Sequence, residues 1–321
     1  MSFEETKEQL LEFPNFIKKG WESAKDISVL DKVSSVVICG MGGSAIPGDI
    51  LAAYLNLDIP IYTVRDYTLP SFIDKHALVF AISYSGNTEE TLSCFRSALG
   101  LGCKIIGITS GGKLKQLCEK HKAPCIIVPQ GIQPRHALPL LFFPMLRVLS
   151  NSKLIEDQSD YIEKSFEVLS RDVYSEMGKA LAEKLQGKIV IVYSSDRYKA
   201  VAYRWKTQIN ENAKSMAFAH VFPELNHNEV VGFEHLIGDY YVVMLQDETE
   251  HPRIKKRMKI TKQLISEHGV SSTVIVIKGS NQLSKIFSAI YIGDWTSLHL
   301  AGLYQVDPTP VEIVEKLKKM L

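Results

Sequence analysis

Three hydroxyl side chains at short spacing mark the stretch of this chain whose chemistry is easiest to infer. They are Ser83, Ser85 and Thr88. An apolar run, 78–82, precedes them and predicts a buried strand. The residues after them predict a helix with Asn87 as its cap and Glu90 as the capping-box partner. Hydroxyl donors, the backbone N–H groups of a turn and the positive end of a helix dipole together suit a phosphate group.

This hydroxyl turn, residues 83–88, contains no lysine or arginine. If phosphate binds here, we expect dipoles and hydroxyl groups, rather than a lysine, to hold it. An ordinary capped turn between a strand and a helix uses the same residue types, because serine, threonine and asparagine are the preferred caps. The sequence therefore leaves a purely structural turn open as an alternative.

A glycine-rich turn occurs one strand–helix unit earlier. A β-branched run is followed by residues 40–44 (Gly-Met-Gly-Gly-Ser) and by a predicted helix. The pattern resembles the start of a dinucleotide-binding fingerprint, with Ala45 at the third glycine position and Asp66 near the place of the ribose-binding carboxylate. A nicotinamide cofactor thus stays open as an alternative. Two neighbouring polar turns fit one phosphorylated small molecule better, with Gly43 and Ser44 on one side of it.

Strand and helix patterns alternate along the chain in two series. The predicted strands are 33–39, 59–64, 78–82, 104–109, 125–128, 188–193, 240–245 and 273–277. This alternation predicts parallel sheets covered by helices on both faces, and hence an α/β fold. A polar stretch, 151–160, separates the series, so we expect two tandem doubly wound domains, 1–152 and 153–321, with a C-terminal helix over 310–321. Ligands of such sheets bind beyond the carboxyl ends of the strands, where both turns lie.

Composition excludes several classes of protein. With 45% hydrophobic and 23% charged residues over 321 positions, the chain is typical of globular proteins. Lysine plus arginine (37) balances aspartate plus glutamate (36) and no basic run stands out, so we expect no nucleic-acid partner. No secretion signal is visible, and no apolar run approaches the roughly 20 residues that a membrane helix needs. We therefore expect a cytoplasmic protein without a membrane partner.

The cysteines are widely spaced and odd in number. They are Cys39, Cys94, Cys103, Cys118 and Cys125. Free thiols in a reducing compartment account for them most simply, because a chain of this size needs no disulfides to hold its core. No Cys-x-x-Cys pair occurs, and Cys118 alone has a histidine nearby, His121. The spacing therefore argues against a zinc site.

The two turns together resemble those of sugar isomerase (SIS) domains. The likeness rests on residues 39–44 and on residues 83–91 (Ser-Tyr-Ser-Gly-Asn-Thr-Glu-Glu-Thr). Two later segments, 210–214 (Asn-Glu-Asn-Ala-Lys) and 223–229 (Pro-Glu-Leu-Asn-His-Asn-Glu), make nearly the whole chain similar to the bifunctional phosphoglucose/phosphomannose isomerases of archaea and some bacteria. The resemblance implies tandem SIS domains that interconvert glucose 6-phosphate and mannose 6-phosphate with fructose 6-phosphate. It also implies that neither a redox cofactor nor a metal takes part.

The resemblance assigns phosphate binding to the three hydroxyl residues of the hydroxyl turn, and the reaction to residues elsewhere. Gly43 and Ser44 would lie beside the sugar. Arg135, in the segment Gln-Pro-Arg-His, would lie near the reacting carbons. A guanidinium group there can stabilise the oxygens of an enediolate without giving up its proton.

The resemblance assigns the proton transfers to Glu211 and His227. Moving a proton between C1 and C2 needs one base, and a carboxylate serves if burial lifts its pKa toward neutrality. Ring opening needs a group that titrates near neutral pH, as histidine does. In the family the histidine comes from the second subunit of a dimer, so the resemblance implies a homodimer. On sequence alone, Glu211 could instead be a solvated glutamate paired with Lys206 or Lys214, and His227 a surface-loop histidine.

Near the C-terminus, segment 309–316 resembles the one that carries a lysine in phosphoglucose isomerases. Lys316 would be that lysine, with Lys318 and Lys319 as alternatives. Without the resemblance, Lys316 would be a solvated residue of an amphipathic helix. Thr309 stands where isomerases specific for glucose 6-phosphate have glutamine, as it does in the bifunctional group.

Two other functions compete with a cofactor-free isomerase that acts through a cis-enediol. A SIS domain can bind a phosphosugar as a regulator without turnover. Such regulators carry a helix-turn-helix module and a basic surface, and neither is apparent in this sequence. An aminosugar-phosphate synthase or deaminase is the other candidate, and neither its cysteine nucleophile nor a glutaminase segment is apparent.

Overall fold

The computed structural model describes residues 3–320, apart from the side chain of Lys319. The described chain forms two compact units. The first unit is Glu12–Phe166, and the second comprises Glu167 to the C-terminus together with the first helix, α1 (Phe3–Leu11). A further helix, α7 (Ser159–Leu169), crosses the division. The predicted domain limits, 1–152 and 153–321, differ from the limits of these units and stay a prediction.

Side chains after residue 150 tie the predicted linker to the first unit. The Asn151 amide donates to the carbonyls of Ala24 and Ile27 at 3.1 and 2.9 Å. Further along, Tyr54 donates to Gln158 at 2.5 Å. Because these bonds hold the polar stretch against earlier helices, the first compact unit extends beyond the boundary that composition predicts.

The first unit is a five-stranded parallel sheet flanked by helices. Its strands are β1 (Ser35–Cys39), β2 (Ile61–Val64), β3 (Ala77–Ile82), β4 (Lys104–Thr109) and β5 (Cys125–Ile127). Its helices are α2 (Phe13–Glu22), α3 (Ile46–Tyr54), α4 (Glu89–Leu101), α5 (Gly112–His121) and α6 (Leu138–Asn151). The strand order is β2-β1-β3-β4-β5. Every residue of β1 and β3 is buried, as expected for central parallel strands built from continuous apolar runs.

The second unit repeats this plan with four strands. They are β6 (Ile189–Ser195), β7 (Ala217–Phe222), β8 (Tyr240–Asp247) and β9 (Ser271–Ile277), in the order β7-β6-β8-β9. Its helices after α7 are α8 (Tyr174–Leu185), α9 (Lys199–Asn212), α10 (Pro252–Glu267), α11 (Gln282–Leu303) and α12 (Glu312–Met320). A buried ion pair between Arg204 and Asp294, 2.7 Å long, fastens α9 to α11.

The order of strands reverses at the same point in both sheets. In the first sheet the chain adds β2 on one side of β1 and β3 on the other, and in the second it adds β7 and β8 around β6 in the same way. Such switch points are where ligands of doubly wound sheets bind. The predicted α/β class with two parallel sheets and a C-terminal helix is confirmed.

All eight predicted strands are present to within two residues, but one strand, β7, was not predicted. It lies at the edge of its sheet, and Phe218 within it is 47% exposed. Its sequence, Ala-Phe-Ala-His-Val-Phe, is interrupted by His220 and contains one β-branched residue, so it gives a weaker strand signal. Every residue of β7 pairs with β6, and this pairing stabilises the extended conformation that its own sequence does not predict.

Charge is less evenly distributed than the composition suggests. The expectation that no basic run stands out is wrong for α10, where six basic residues fall from Arg253 to Lys262.

All five cysteines are free thiols, as predicted. No helix within residues 3–320 is both long enough and apolar enough to cross a membrane.

Candidate active site

The hydroxyl turn is built around Ser83, which follows β3 and is completely buried. Its Oγ lies 2.8 Å from Thr88 Oγ1 and accepts the Thr88 N–H at 3.4 Å. Gly86 has φ +71°, and a side chain there would collide with the Gly111 carbonyl, so the turn requires glycine. No side chain caps α4. The N–H groups of its first turn therefore remain available to an anion.

The predicted cap of α4 is wrong. Thr88 occupies the N-cap position, and the Asn87 side chain bonds elsewhere. Its Oδ1 accepts the Lys113 N–H at 3.2 Å, and its Nδ2 donates to the Ser85 carbonyl at 3.2 Å. Asn87 thus ties the start of α5 to the hydroxyl turn. Ser85 itself is exposed, with its Oγ accepting the Asn87 N–H at 3.3 Å.

The glycine-rich turn lies directly beside the hydroxyl turn. Ser44 Oγ accepts the Tyr84 N–H at 3.2 Å, across the switch point between β1 and β3. Gly43 faces the next connection, because a Cβ built on it would stand 3.2 Å from the Pro134 carbonyl oxygen and 3.3 Å from Arg135 Cα. The first unit therefore gathers five of the residues predicted for the site, together with the backbone of Arg135.

Tyr84, which sequence reasoning missed, positions the segment that leads to Arg135. Its hydroxyl donates to the Pro129 carbonyl at 2.8 Å and accepts the Ile132 N–H at 2.9 Å. Burial raises the pKa of Tyr84, so the phenol stays neutral and keeps both bonds. Arg135 is only 4% exposed, and its Nη1 donates to Gln133 Oε1 at 3.4 Å. A large aromatic residue between two serines was the signal that could have identified Tyr84.

In the second unit, Glu211 lies in the last turn of α9 and is half-buried. Both neighbouring asparagines are anchored. Asn210 donates to the Ser215 carbonyl at 2.7 Å, and the buried Asn212 donates to Ser297 Oγ at 2.9 Å. The two amides hold the backbone on either side of Glu211 and so restrict the direction of its carboxylate.

Lys214 joins the end of α9 to the segment that contains Thr309. Its Nζ donates to three carbonyls, those of Glu211 at 2.5 Å, Pro308 at 3.2 Å and Pro310 at 2.6 Å. Glu211 and Thr309 are therefore brought together in this unit. Sequence reasoning considered Lys214 only as an ion-pair partner for Glu211, and nothing local indicates these contacts across more than ninety residues.

His227 ends a 3₁₀ turn, Glu224–His227, that follows β7. Its side chain is exposed, while the residues beside it are fixed. Asn226 donates to Thr261 Oγ1 at 2.8 Å, and Asn228 donates to Glu224 Oε1 at 2.9 Å. The arrangement parallels that of Glu211, since a titratable side chain again stands between two anchored amides.

Within this unit, Glu211 and His227 lie at opposite ends of β7. Glu211 precedes β7 and His227 follows it. A strand of six residues spans about 17 Å at a rise of about 3.3 Å per residue. The second unit therefore does not bring these two residues together.

Lys316 lies on α12 with its side chain exposed and without an ion-pair partner among the described residues. The apolar residues of this helix are exposed as well, including Ile313 at 83% and Met320 at 77%. Lys318 lies 3.5 Å from Glu315. The side chain of Lys319, the other predicted alternative, lies outside the described residues.

Comparison with known proteins identifies the family. The family described as bacterial phospho-glucose isomerase C-terminal SIS domain matches residues 175–321. The bifunctional phosphoglucose/phosphomannose isomerase of Caldicellulosiruptor bescii is 45% identical over 334 residues, covering 98% of both chains. This chain belongs to the bifunctional phosphoglucose/phosphomannose isomerase family. The sequence-based assignment to this family, and to SIS domains, is confirmed.

Two further similarities delimit what membership of this phosphoglucose/phosphomannose isomerase family implies. A D-glucosamine-6-phosphate 4-epimerase from Sulfolobus acidocaldarius is 32% identical, covering 94% of both chains. The solved structure of glucosamine-6-phosphate deaminase from Thermotoga maritima has a TM-score of 0.74 at 16% identity, covering 96% of this chain and 97% of that one. The similarity to the deaminase is one of fold alone. The epimerase is a relative in sequence whose name describes a different reaction.

Proposed function

We propose that this protein interconverts glucose 6-phosphate and mannose 6-phosphate with fructose 6-phosphate through a cis-enediol, without a metal or redox cofactor. The observation that carries the proposal is the uncapped N-terminus of α4 beside the joined hydroxyls of Ser83 and Thr88. A phosphate group gains hydrogen bonds from both and interacts favourably with the helix dipole. Membership of a family of sugar-phosphate isomerases supports the same conclusion.

Phosphate binding positions the reacting end of the sugar. Ser85 supplies a third hydroxyl, and Gly43 and Ser44 flank the sugar on the other side of the switch point. Binding energy from the non-reacting phosphate then orients C1 and C2 for proton transfer. A dinucleotide at the glycine-rich turn fits less well, because Ser44 is already bonded to Tyr84 and Gly43 packs against Pro134.

Glu211 transfers the proton between C1 and C2 in this proposal. One carboxylate suffices, because it can take the proton from one carbon and return it to the other. Arg135 stabilises the enediolate oxygens, and its near-complete burial strengthens that interaction. The anchored Asn210 and Asn212 support the assignment, since they restrict where the Glu211 carboxylate can point.

His227 opens the sugar ring, and it does so in the site of a second chain. Its separation from Glu211 by the length of β7 argues against the two acting together within one unit. An exposed histidine on an anchored loop suits presentation to a neighbouring molecule. The proposal therefore includes a homodimer. It also includes a cytoplasmic location and the absence of nucleic-acid and membrane partners.

Lys316 and Thr309 complete the proposed set. Lys316 interacts with the substrate oxygens during ring opening. Thr309 lies near Glu211, because Lys214 donates to the carbonyls of both Glu211 and Pro308. A short side chain there leaves room for either configuration at C2, which is the difference between glucose and mannose 6-phosphates.

The first test is to incubate the protein with each aldose phosphate in the presence of a chelator. Fructose 6-phosphate is expected from both. Product from glucose 6-phosphate alone would contradict the role of Thr309. Binding without product would favour a regulator, and conversion of glucosamine 6-phosphate to its C4 epimer, without fructose 6-phosphate from either substrate, would favour the activity named for the Sulfolobus relative.

The second test separates the roles of Glu211 and His227. Glu211→Gln and His227→Asn are each expected to be folded and nearly inactive, and Glu211→Gln also to lose exchange of the C2 proton with solvent. If His227 acts in the partner's site, dimers formed by mixing the two variants contain one intact site each. An equal mixture after dissociation and reassociation should regain about a quarter of wild-type activity, because half of the dimers are then mixed.

Matched controls are Glu183→Gln and His235→Asn, which change exposed residues of the same types and should retain activity. No recovery in the mixture would reject the shared site. Proton exchange at the wild-type rate in Glu211→Gln would reject Glu211 as the base.

A further inference from the structure

The first turn of α5 packs directly against the hydroxyl turn. The Leu114 N–H donates to the Gly86 carbonyl at 2.9 Å, and the Lys113 N–H donates to Asn87 Oδ1. At Gly112 a Cβ would collide with the Ser85 carbonyl, so these two backbones are in close contact. The cationic side chain of Lys113 therefore starts beside the proposed phosphate site, although it lies 25 residues after Thr88 in the chain.

Lys113 stands at an electrostatically unfavourable position. The N-terminus of a helix carries partial positive charge, which favours acidic residues, and the first turn of α5 has none. The Lys113 side chain is exposed and has no ion-pair partner among residues 3–320, whereas Lys115 lies 3.7 Å from Glu119. Helical side chains lean toward the helix N-terminus, which is the end of α5 that packs against the hydroxyl turn.

The second unit also contains a lysine near the start of the corresponding helix, two positions further along that helix, and there it binds an anion. Lys285 lies in the first turn of α11, which likewise has no acidic residue. Its Nζ is 2.8 Å from Oδ1 of Asp247, the last residue of β8. The strand β8 and helix α11 occupy the positions in their sheet that β3 and α5 occupy in the other. A lysine from this helix thus reaches an anion at the end of this strand.

We propose that Lys113 binds the phosphate group of the sugar and supplies the charge that the hydroxyl turn lacks. The inference rests on the proposed function and adds one residue to its phosphate site. It replaces the expectation that dipoles and hydroxyls alone hold the phosphate. An ammonium–phosphate hydrogen bond is charge-assisted and stronger than one from a neutral hydroxyl.

The test compares Lys113→Gln with Lys115→Gln, a control on the same helix. Lys113→Gln is expected to raise KM for glucose 6-phosphate and the inhibition constant of inorganic phosphate by about 10-fold each, as expected for loss of one charge-assisted hydrogen bond. Because the phosphate does not react, kcat should change little. Both constants should also depend less on salt concentration, and Lys113→Arg should restore much of the affinity.

The outcomes distinguish this proposal from the function on which it rests. Unchanged KM and phosphate inhibition in Lys113→Gln, together with an increase of both in Ser83→Ala, would reject Lys113 while leaving the isomerase intact. A wild-type protein that neither isomerises sugar phosphates nor binds inorganic phosphate would reject both. The melting temperatures of wild type, Lys113→Gln and Lys115→Gln, measured without phosphate, should be equal. This control checks that the substitutions act on binding rather than on folding.

Discussion

The two sheets share one strand order but differ in what lies at their switch points. In the first, Ser44, Ser83 and Thr88 present hydroxyls beside an uncapped helix. In the second, the corresponding place holds Asp247, which accepts hydrogen bonds from Lys285 at 2.8 Å and from Tyr198 at 2.7 Å. The first switch point is thus open to an external anion, while the second already contains a carboxylate of its own chain.

The second switch point is closed by a network of side chains rather than by apolar packing. Asp247 is fully buried and also accepts the Thr249 N–H at 2.9 Å, while Ser195 donates to the buried carboxylate of Glu250. In this fold the helix N-termini beyond the carboxyl ends of the strands favour negative charge. Whether the chain itself supplies that charge decides which of two similar sheets can bind a phosphorylated ligand.

Removing the hydroxyls of the first switch point should have the largest effect on activity. Ser83→Ala combined with Thr88→Val should lower kcat/KM for both aldose phosphates by about 10²–10⁴-fold, since each of the two lost bonds to a charged group costs about 1.5–3 kcal/mol. The matched variant Tyr198→Phe removes a hydroxyl from Asp247 and should lower stability without changing kcat/KM. Steady-state kinetics and urea unfolding measure the two effects. Equal losses of activity in both variants would contradict the division between open and closed switch points.

The internal anion of the second unit is tested by Asp247→Asn. Burial acts to raise the pKa of Asp247, but hydrogen bonds from Lys285, Thr249 and Tyr198 outweigh it and lower the pKa to about 2. Because this lies below the unfolded value of about 4, the ionised group stabilises the fold above pH about 4 and loses its contribution as pH falls toward 2. At pH 7 the substitution should therefore lower the free energy of unfolding by about 3 kcal/mol.

The difference in stability between wild type and Asp247→Asn should shrink as the pH falls from about 4 to 2. Urea titrations across this range measure it. The exposed Asp239, which pairs with Lys188 at the surface, provides the control Asp239→Asn, with an expected loss below about 1 kcal/mol. A loss at Asp247 no larger than at Asp239 would show that the carboxylate does not hold the second switch point together.

The smallest effects come from the asparagines at the starts of α5 and α11. Asn87→Ala and Asn281→Ala each remove a side chain that accepts a first-turn N–H, and each should cost about 1 kcal/mol of stability. Only Asn87→Ala should also raise KM for sugar phosphates, by about 3-fold, because it alone borders the open switch point. Thermal unfolding of both variants measures the loss of stability, and steady-state kinetics measures KM. An increase in KM from Asn281→Ala would mean that the second switch point also contributes to binding.

Local sequence patterns identified most of the elements because their signals act within a few residues. The central strands β1 and β3 are continuous apolar runs, and such runs predict burial directly. The cap of α4 was mispredicted because a local pattern does not include distant residues. Two helices begin beside Asn87, and the one that receives its side chain starts at residue 112, too distant in sequence for a local pattern to include.

The α/β class, the strands with apolar runs, the hydroxyl turn and the family could all be predicted from the sequence. Each depends on residue types and spacings that act locally or can be recognised as a motif. The structure was needed to find that Lys113 borders the hydroxyl turn, that Asp247 fills the second switch point, and that Glu211 and His227 lie at opposite ends of β7. These relations depend on which strands and helices become neighbours, and that choice follows from the packing of the whole sheet rather than from any one segment.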